Sequence, residues 1–247
     1  MKKETDKKGA LTTLAKGAVD GSGAFLGRIC LPAAEEFGLL LKDKVSAWRA
    51  NNAIEIVKKA EKKLNKIENN KNLHAHPRLV TTAFETGSFS DNPEVQEMWA
   101  GLLASSCDEE GKDESNLLFM TILSQINSTE AIILNYLCRT ADKTVSKSGF
   151  IWANDIEMTF EKITELTGIT DIHRMDRELD HLRALDIISG GFNTTDDTAK
   201  VAPRALGLHM YVSCQGSKKS PLEYFEISYE KNPYNSKILS SIDIPKT

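Results

Sequence analysis

The residue pattern predicts a mainly α protein: an N-terminal helical bundle followed by a winged-helix-like unit with a small β-hairpin. Three observations carry this. Val95, Met98, Trp99, Leu102 and Leu103 recur at the spacing of one helix face. Asn92, Pro93 and Glu94, just ahead of them, form a helix start: an amide that can cap, a ring whose fixed φ suits the first turn, and an acid at the positive end of the helix dipole. Residues 150–214 then run helix, turn, helix, strand, turn-rich tip and strand, which is the order of a winged helix.

From the N-terminus, residues 1–9 read as a polar tail of mixed charge. Residues 10–41 mix Gly17, Gly21, Gly23 and Gly27 with Leu14, Val19, Phe25, Leu26, Ile29 and Leu31. Glycine costs a helix interior about 1 kcal/mol relative to alanine, so this stretch is a poor helix in isolation. It suits close packing on a neighbour, or a membrane surface. Pro32 fits the first turn of a helix that continues through Phe37, Leu40, Leu41, Val45 and Trp48. In the next helix Ile54, Ile56, Val57, Ala60, Leu64 and Ile67 lie opposite a basic face of Lys58, Lys59, Lys62, Lys63 and Lys66. Such a face is ordinarily solvated; contact with anionic lipid or another anion is the alternative.

Residues 69–77 read as a loop, Pro77 to Thr86 as a short helix, 88–93 as a break and 108–115 as a charged loop. Asn116 to Ile126 is helical, and Ser128 reads as the cap of a helix burying Ile132, Ile133, Tyr136 and Leu137. Polar residues from Thr140 to Ser148 end it. Phe160, Ile163 and Leu166 then mark a helix closed by Gly168. Thr170 opens another, with Met175, Leu179, Leu182 and Leu185 inside. Ile187 and Ile188 suit a strand, 190–200 a tip, Val201 a return strand and 203–214 a closing helix. The expected organisation is therefore a flexible, glycine-rich segment (1–31), a helical domain (32–148), a winged-helix-like domain (149–216) and a polar tail (217–247).

Composition narrows the function. The 247 residues are 40% hydrophobic and 27% charged, enough to build a core without disulfide or metal. Cys30, Cys107, Cys138 and Cys214 are widely spaced, and the histidines do not fall beside them at zinc-ligand spacing, so they read as reduced, buried thiols. No phosphate-binding glycine loop, zinc-protease helix or serine elbow occurs. His74 and His76 lack an evident third ligand. Glu94 with Glu97, and Asp108 with Glu109 and Glu110, read as a helix start and a solvated loop rather than acid–base pairs. No catalytic residue, cofactor or metal is assigned. With no secretory signal and no apolar span, a cytoplasmic chain is expected, with peripheral membrane contact left open.

The net charge of −4 argues against a surface that grips nucleic acid throughout. Between Asp171 and Asp186, five acids face three arginines. Duplex binding rests on Lys and Arg neutralising phosphates, so this balance favours protein contacts over DNA. The bases available to nucleic acid are Arg174, Arg177, Arg183 and Lys200. Trp48 and Trp99 read as core by their spacing. Arg49 is expected to pair with Glu85 or Glu94 and so lock two helices.

Trp48–Arg49, Pro77, the run EVQEMWAGLLASSCD (94–108), TILSQINSTEAIILNYL (121–137) and PRALGLHMYVSC (203–214) together resemble the bacterial abortive infection alpha family, across roughly residues 25–215. The most specific piece is Glu94, Trp99, Ala100, Leu102, Leu103 and Ala104, followed by the acidic turn at Asp108. The resemblance implies a role in defence against phage and brings no catalytic residues with it. Three uses are then open: a non-catalytic defence effector working through a protein partner or self-association, a membrane-active effector using the glycine-rich segment, and a DNA-binding regulator.

Overall fold

The computed structural model describes residues 21–32, 34–35, 47–66 and 72–227. The expected charged tail, the glycine-rich residues before position 21, Phe37, Leu40, Leu41, Val45, Ile67 and the polar tail after residue 227 lie outside them. The chain is mainly helical, with small antiparallel sheets. It forms two compact units: residues up to Gln125 together with Ser213–Ser217, and Ile126–Val212 with the residues that follow Ser217. The sequence-based boundary at 148 falls inside the second unit, because the helix at Ser128–Thr140 packs against elements that come after it.

In the first unit, residues 21–29 are helical, and Ser22, Phe25, Leu26 and Ile29 are buried at i, i+3, i+4 and i+7. One face of a glycine-rich stretch thus supplies enough apolar area to offset its poor helix propensity. Helix α1 (Ala47–Leu64) buries Ala53, Ile54, Ile56, Val57, Ala60 and Leu64. Strand β1 (His74–Ala75) leads into α2 (Pro77–Gly87), in place of the expected loop. It pairs with β2 (Cys107–Asp108), His74 opposite Asp108 and Ala75 opposite Cys107. Two-residue strands leave no periodicity to read.

Helix α3 (Pro93–Ser105) starts as its sequence indicates: Asn92 Oδ1 accepts from the backbone N–H groups of Glu94 and Val95. The predicted stripe is buried, and so are Gln96, Ala100, Gly101, Ala104 and Ser105. Small residues on its second face let other backbone come close. A Cβ built on Gly101 would sit 1.7 Å from the carbonyl oxygen of Cys214, so only glycine fits. Helix α4 (Leu117–Leu123) follows Asn116, whose Nδ2 donates to Ser105 Oγ and Ser106 Oγ.

The second unit begins with α5 (Ser128–Thr140). Asn127, not Ser128, is its cap: Asn127 Oδ1 accepts from Glu130 N while the Glu130 carboxyl accepts from Asn127 N, a reciprocal capping box. The polar stretch after α5 is not a simple ending but a hairpin of β3 (Lys143–Val145) and β4 (Ile151–Ala153). Strand β5 (Ile156–Thr159), also missing from the sequence reading, leads into α6 (Phe160–Thr167), closed by left-handed Gly168 as expected. Helix α7 (Ile172–Ala184) is capped by Asp171 rather than opened by Thr170, and buries Met175, Leu179 and Leu182. Strands β6 (Ile188–Phe192) and β7 (Thr198–Pro203) complete a three-stranded antiparallel sheet ordered β5-β7-β6.

Helix α8 (Ala205–Cys214) closes the unit. A short α9 (Pro221–Tyr224), capped by Ser220 with Glu223, brings Tyr224 and Phe225 against Tyr211 at ring-centroid distances of 6.2 and 6.1 Å. The start of the expected polar tail is therefore built into the second unit.

Candidate functional site: a buried glutamate pair beneath α7

The residues that the sequence offers to nucleic acid are all tied to acids. Arg174 Nε and Arg177 Nη2 lie 3.5 and 3.2 Å from Glu178 Oε1. Arg183 Nη2 lies 2.6 Å from Asp180 Oδ1, and its Nη1 donates to the Gly190 carbonyl. Lys200 Nζ, on β7, lies 3.7 Å from Glu157 Oε2 on β5. Arg183, Asp180, Lys200 and Glu157 are exposed, so those two pairs are weak in energy. Their consequence is electrostatic: every one of these bases has an acid beside it.

Glu178 is different, because its side chain is buried with that of Glu130 (4% and 1% exposed). Glu130 Oε2 accepts from Asn127 N at 2.7 Å, and Glu130 Oε1 lies 2.6 Å from His181 Nδ1. Glu178 Oε2 accepts from Asn127 Nδ2 at 2.6 Å, so both carboxyls are bound by the same asparagine. Burial pushes the Glu130 carboxyl above its ordinary value, despite the Asn127 backbone donor and His181. Burial also works to raise Glu178. The hydrogen bonds from Asn127, Arg177 and Glu130 outweigh it and hold that carboxyl below its ordinary value. Two carboxyls driven apart in this way are the arrangement acid–base chemistry uses. Here every oxygen of the pair already has a protein partner, so the pair joins the start of α5 to the middle of α7. The sequence reading places Glu178 among the surface acids of α7 and passes over Glu130. The available signal is the Asn127-x-x-Glu130 capping spacing.

The basic face of α1 divides. Lys59 and Lys63 reach Glu97 of α3 at 3.7 and 3.0 Å, and Lys59 Nζ also donates to the Pro93 carbonyl and Gln96 Oε1. Lys58 pairs with Glu55 at 2.9 Å, while Lys62 and Lys66 are exposed. Two of the five lysines therefore fasten α1 to α3 rather than facing an anionic surface.

Trp99 is core, 1% exposed, as its spacing indicates, and Glu94 stands in the first turn of α3. Trp48 is not core: it is 44% exposed, one turn ahead of the first residue that α1 buries. Helical spacing assigns a face but does not say how far along it a neighbour extends. Arg49 reaches Glu85 through the main-chain carbonyl, not the expected carboxylate. It also donates from Nε and Nη2 to Ser88 Oγ at 3.1 and 2.9 Å, with its guanidinium 3.9 Å from the Phe89 ring centroid. It does join α1 to the end of α2, through a turn rather than an ion pair.

The acidic loop after β2 folds around Asp108, whose carboxylate accepts from the backbone N–H groups of Glu110, Gly111 and Asp113. His76 Nδ1 accepts from Arg78 N at the start of α2. Among the described residues no group of three or more His, Cys, Asp or Glu is placed to hold a metal, and no helix is long and apolar enough to cross a membrane.

These elements define a mainly helical protein whose second unit sets two helices on a three-stranded antiparallel sheet and joins α5 to α7 by a buried carboxyl pair. The chain belongs to the abortive infection alpha family, whose profile matches residues 49–203, from α1 to the end of β7. No curated protein and no solved structure matches it.

Proposed function

We propose that this chain is an abortive-infection defence protein that acts through protein contacts and without turnover, in the cytoplasm. In this reading the second unit is a winged helix and the first a supporting helical bundle. The succession β5, α6, α7, β6, β7, with β7 between its two partners, supports the winged-helix assignment. Family membership supports the role in defence.

The observation that carries the choice of protein over DNA is the pairing of Arg174, Arg177, Arg183 and Lys200 with acids. A duplex is bound by bases that exchange counterions for phosphate, and bases with an acid beside them do so poorly. Exposed Phe150 and Trp152 on the β3–β4 hairpin, 73% and 49% accessible, are the kind of aromatic anchor that protein interfaces use. The burial of Phe25, Leu26 and Ile29 takes from the membrane reading three of the apolar residues it would insert.

The test is phage plating on cells expressing the full chain, compared with R183A/K200A and with F150S/W152S. Those bases do not touch the buried glutamates. Protection kept in the first variant and lost in the second is expected. Protection lost in the first, with duplex shifted by the wild-type chain at low salt, would replace this reading with DNA binding.

A further inference from the structure

Glu130 enters the second unit from the first turn of α5 and Glu178 from the middle of α7. Both side chains are almost wholly buried, and one asparagine holds both carboxyls: Asn127 donates its backbone N–H to Glu130 Oε2 at 2.7 Å and its side-chain amide to Glu178 Oε2 at 2.6 Å, which sets the two groups beside each other. Two ionised carboxylates have no donor to offer each other, and burying both charges side by side is costly. One proton supplies the donor and removes one of the charges. We propose that Glu130 and Glu178 hold a single proton between them, and that this shared proton latches the start of α5 to α7, so that α7 loosens when the proton is withdrawn.

The surroundings fit one remaining negative charge. From α7, Arg174 and Arg177 both approach Glu178 Oε1, and His181 Nδ1 approaches Glu130 Oε1. From the turn before α5, Asn127 donates its backbone N–H to Glu130 and its side-chain amide to Glu178. Among the described residues, no titratable group of α6, β6 or β7 hydrogen-bonds or ion-pairs with either carboxyl. The cations thus gather on Glu178, while Glu130 has a neutral backbone donor and one imidazole. Glu130 is therefore the oxygen donor of the pair and Glu178 the acceptor. The proton leaves to solvent past His181, the half-exposed member of the cluster.

Whatever α7 contacts, hydrogen exchange of the full chain tests the latch, read on peptides covering 172–184 between pH 5 and pH 9 and corrected for intrinsic exchange. Protection in the wild type should fall by about tenfold for each pH unit while the proton is being lost, then level off. In E130Q the amide replaces the protonated carboxyl as donor to Glu178, and protection should no longer follow pH. Flat wild-type protection, or an E130Q profile that tracks the wild type, would overturn the proposal. If E130Q does not fold, carboxyl carbon-13 titration of the wild-type chain decides the matter. One glutamate should stay protonated well above the ordinary range while another stays ionised below it; two ordinary titrations would sink the idea.

Discussion

The guanidinium of Arg49 stacks on the Phe89 ring while its Nε and Nη2 donate to the buried hydroxyl of Ser88, so the turn that ends α2 is held against α1 by one planar side chain. Asn52 adds a bond to the Ser88 carbonyl, and Gln96 of α3 reaches the Ser90 carbonyl and Asn52. Lysine cannot reproduce a flat, forked donor. R49K should therefore destabilise nearly as much as R49A, by about 2 kcal/mol in urea denaturation. In a double-mutant cycle, R49A and S88A should couple by about 1 kcal/mol; strict additivity would show that the turn is held by other groups.

The glycines separate into two kinds. Gly101 faces the Cys214 backbone with no room for a methyl group, whereas a methyl group added at Gly23 or Gly27 would have nothing within 4 Å. G101A should abolish soluble expression or lower the unfolding midpoint severely. G27A, inside the helical stretch 21–29, should raise stability by about 1 kcal/mol. A destabilising G27A would mean that this stretch depends on its glycines in a way that burial of Phe25 and Leu26 does not explain.

The sequence suggests Ser128 as the cap of α5, and the structure gives that place to Asn127. N127A removes the acceptor for Glu130 N and the donor to Glu178 together, and should cost about 2 kcal/mol. S128A, at the first helical position, should cost less than about 0.5 kcal/mol. Equal losses would return the cap to Ser128.

The carboxyl pair gives stability a definite dependence on pH. The folded Glu130 carboxyl is raised, mainly by burial, so its contribution is fully present below the ordinary glutamate range and is lost as pH rises through the raised value. Burial opposes the net lowering of Glu178 by its hydrogen bonds. The contribution of that lowered carboxyl is present above the ordinary range and lost as pH falls through the lowered value. The pair should therefore stabilise most near the ordinary glutamate range, with a decline on either side, each unit of displacement being worth about 1.4 kcal/mol. Urea midpoints measured from pH 3 to pH 9 should show the alkaline decline in the wild type and its absence in E130Q.

The sequence by itself determined what depends on neighbours along the chain. It placed α3 with its cap at Asn92 and its buried Trp99, the Gly168 end of α6, the buried face of α7, the β6–β7 return and the family, because periodicity, capping chemistry and motif are local or linear signals. Tertiary structure decided the rest. Strands β1 to β5 are too short to show a period; β1, β2 and β5 exist because a distant strand supplies their hydrogen bonds, and β3 and β4 because they pair with each other. Trp48 follows the helical spacing of its neighbours, yet it is exposed among the described residues. Arg174 and Arg177 look like a phosphate-binding pair until Glu178 is found beneath them. Glu130 and Glu178 stand 48 positions apart, and nothing on either local stretch says that they share a site. Burial and long-range pairing are properties of the packed chain, and they convert an acidic helix into one whose bases are already taken.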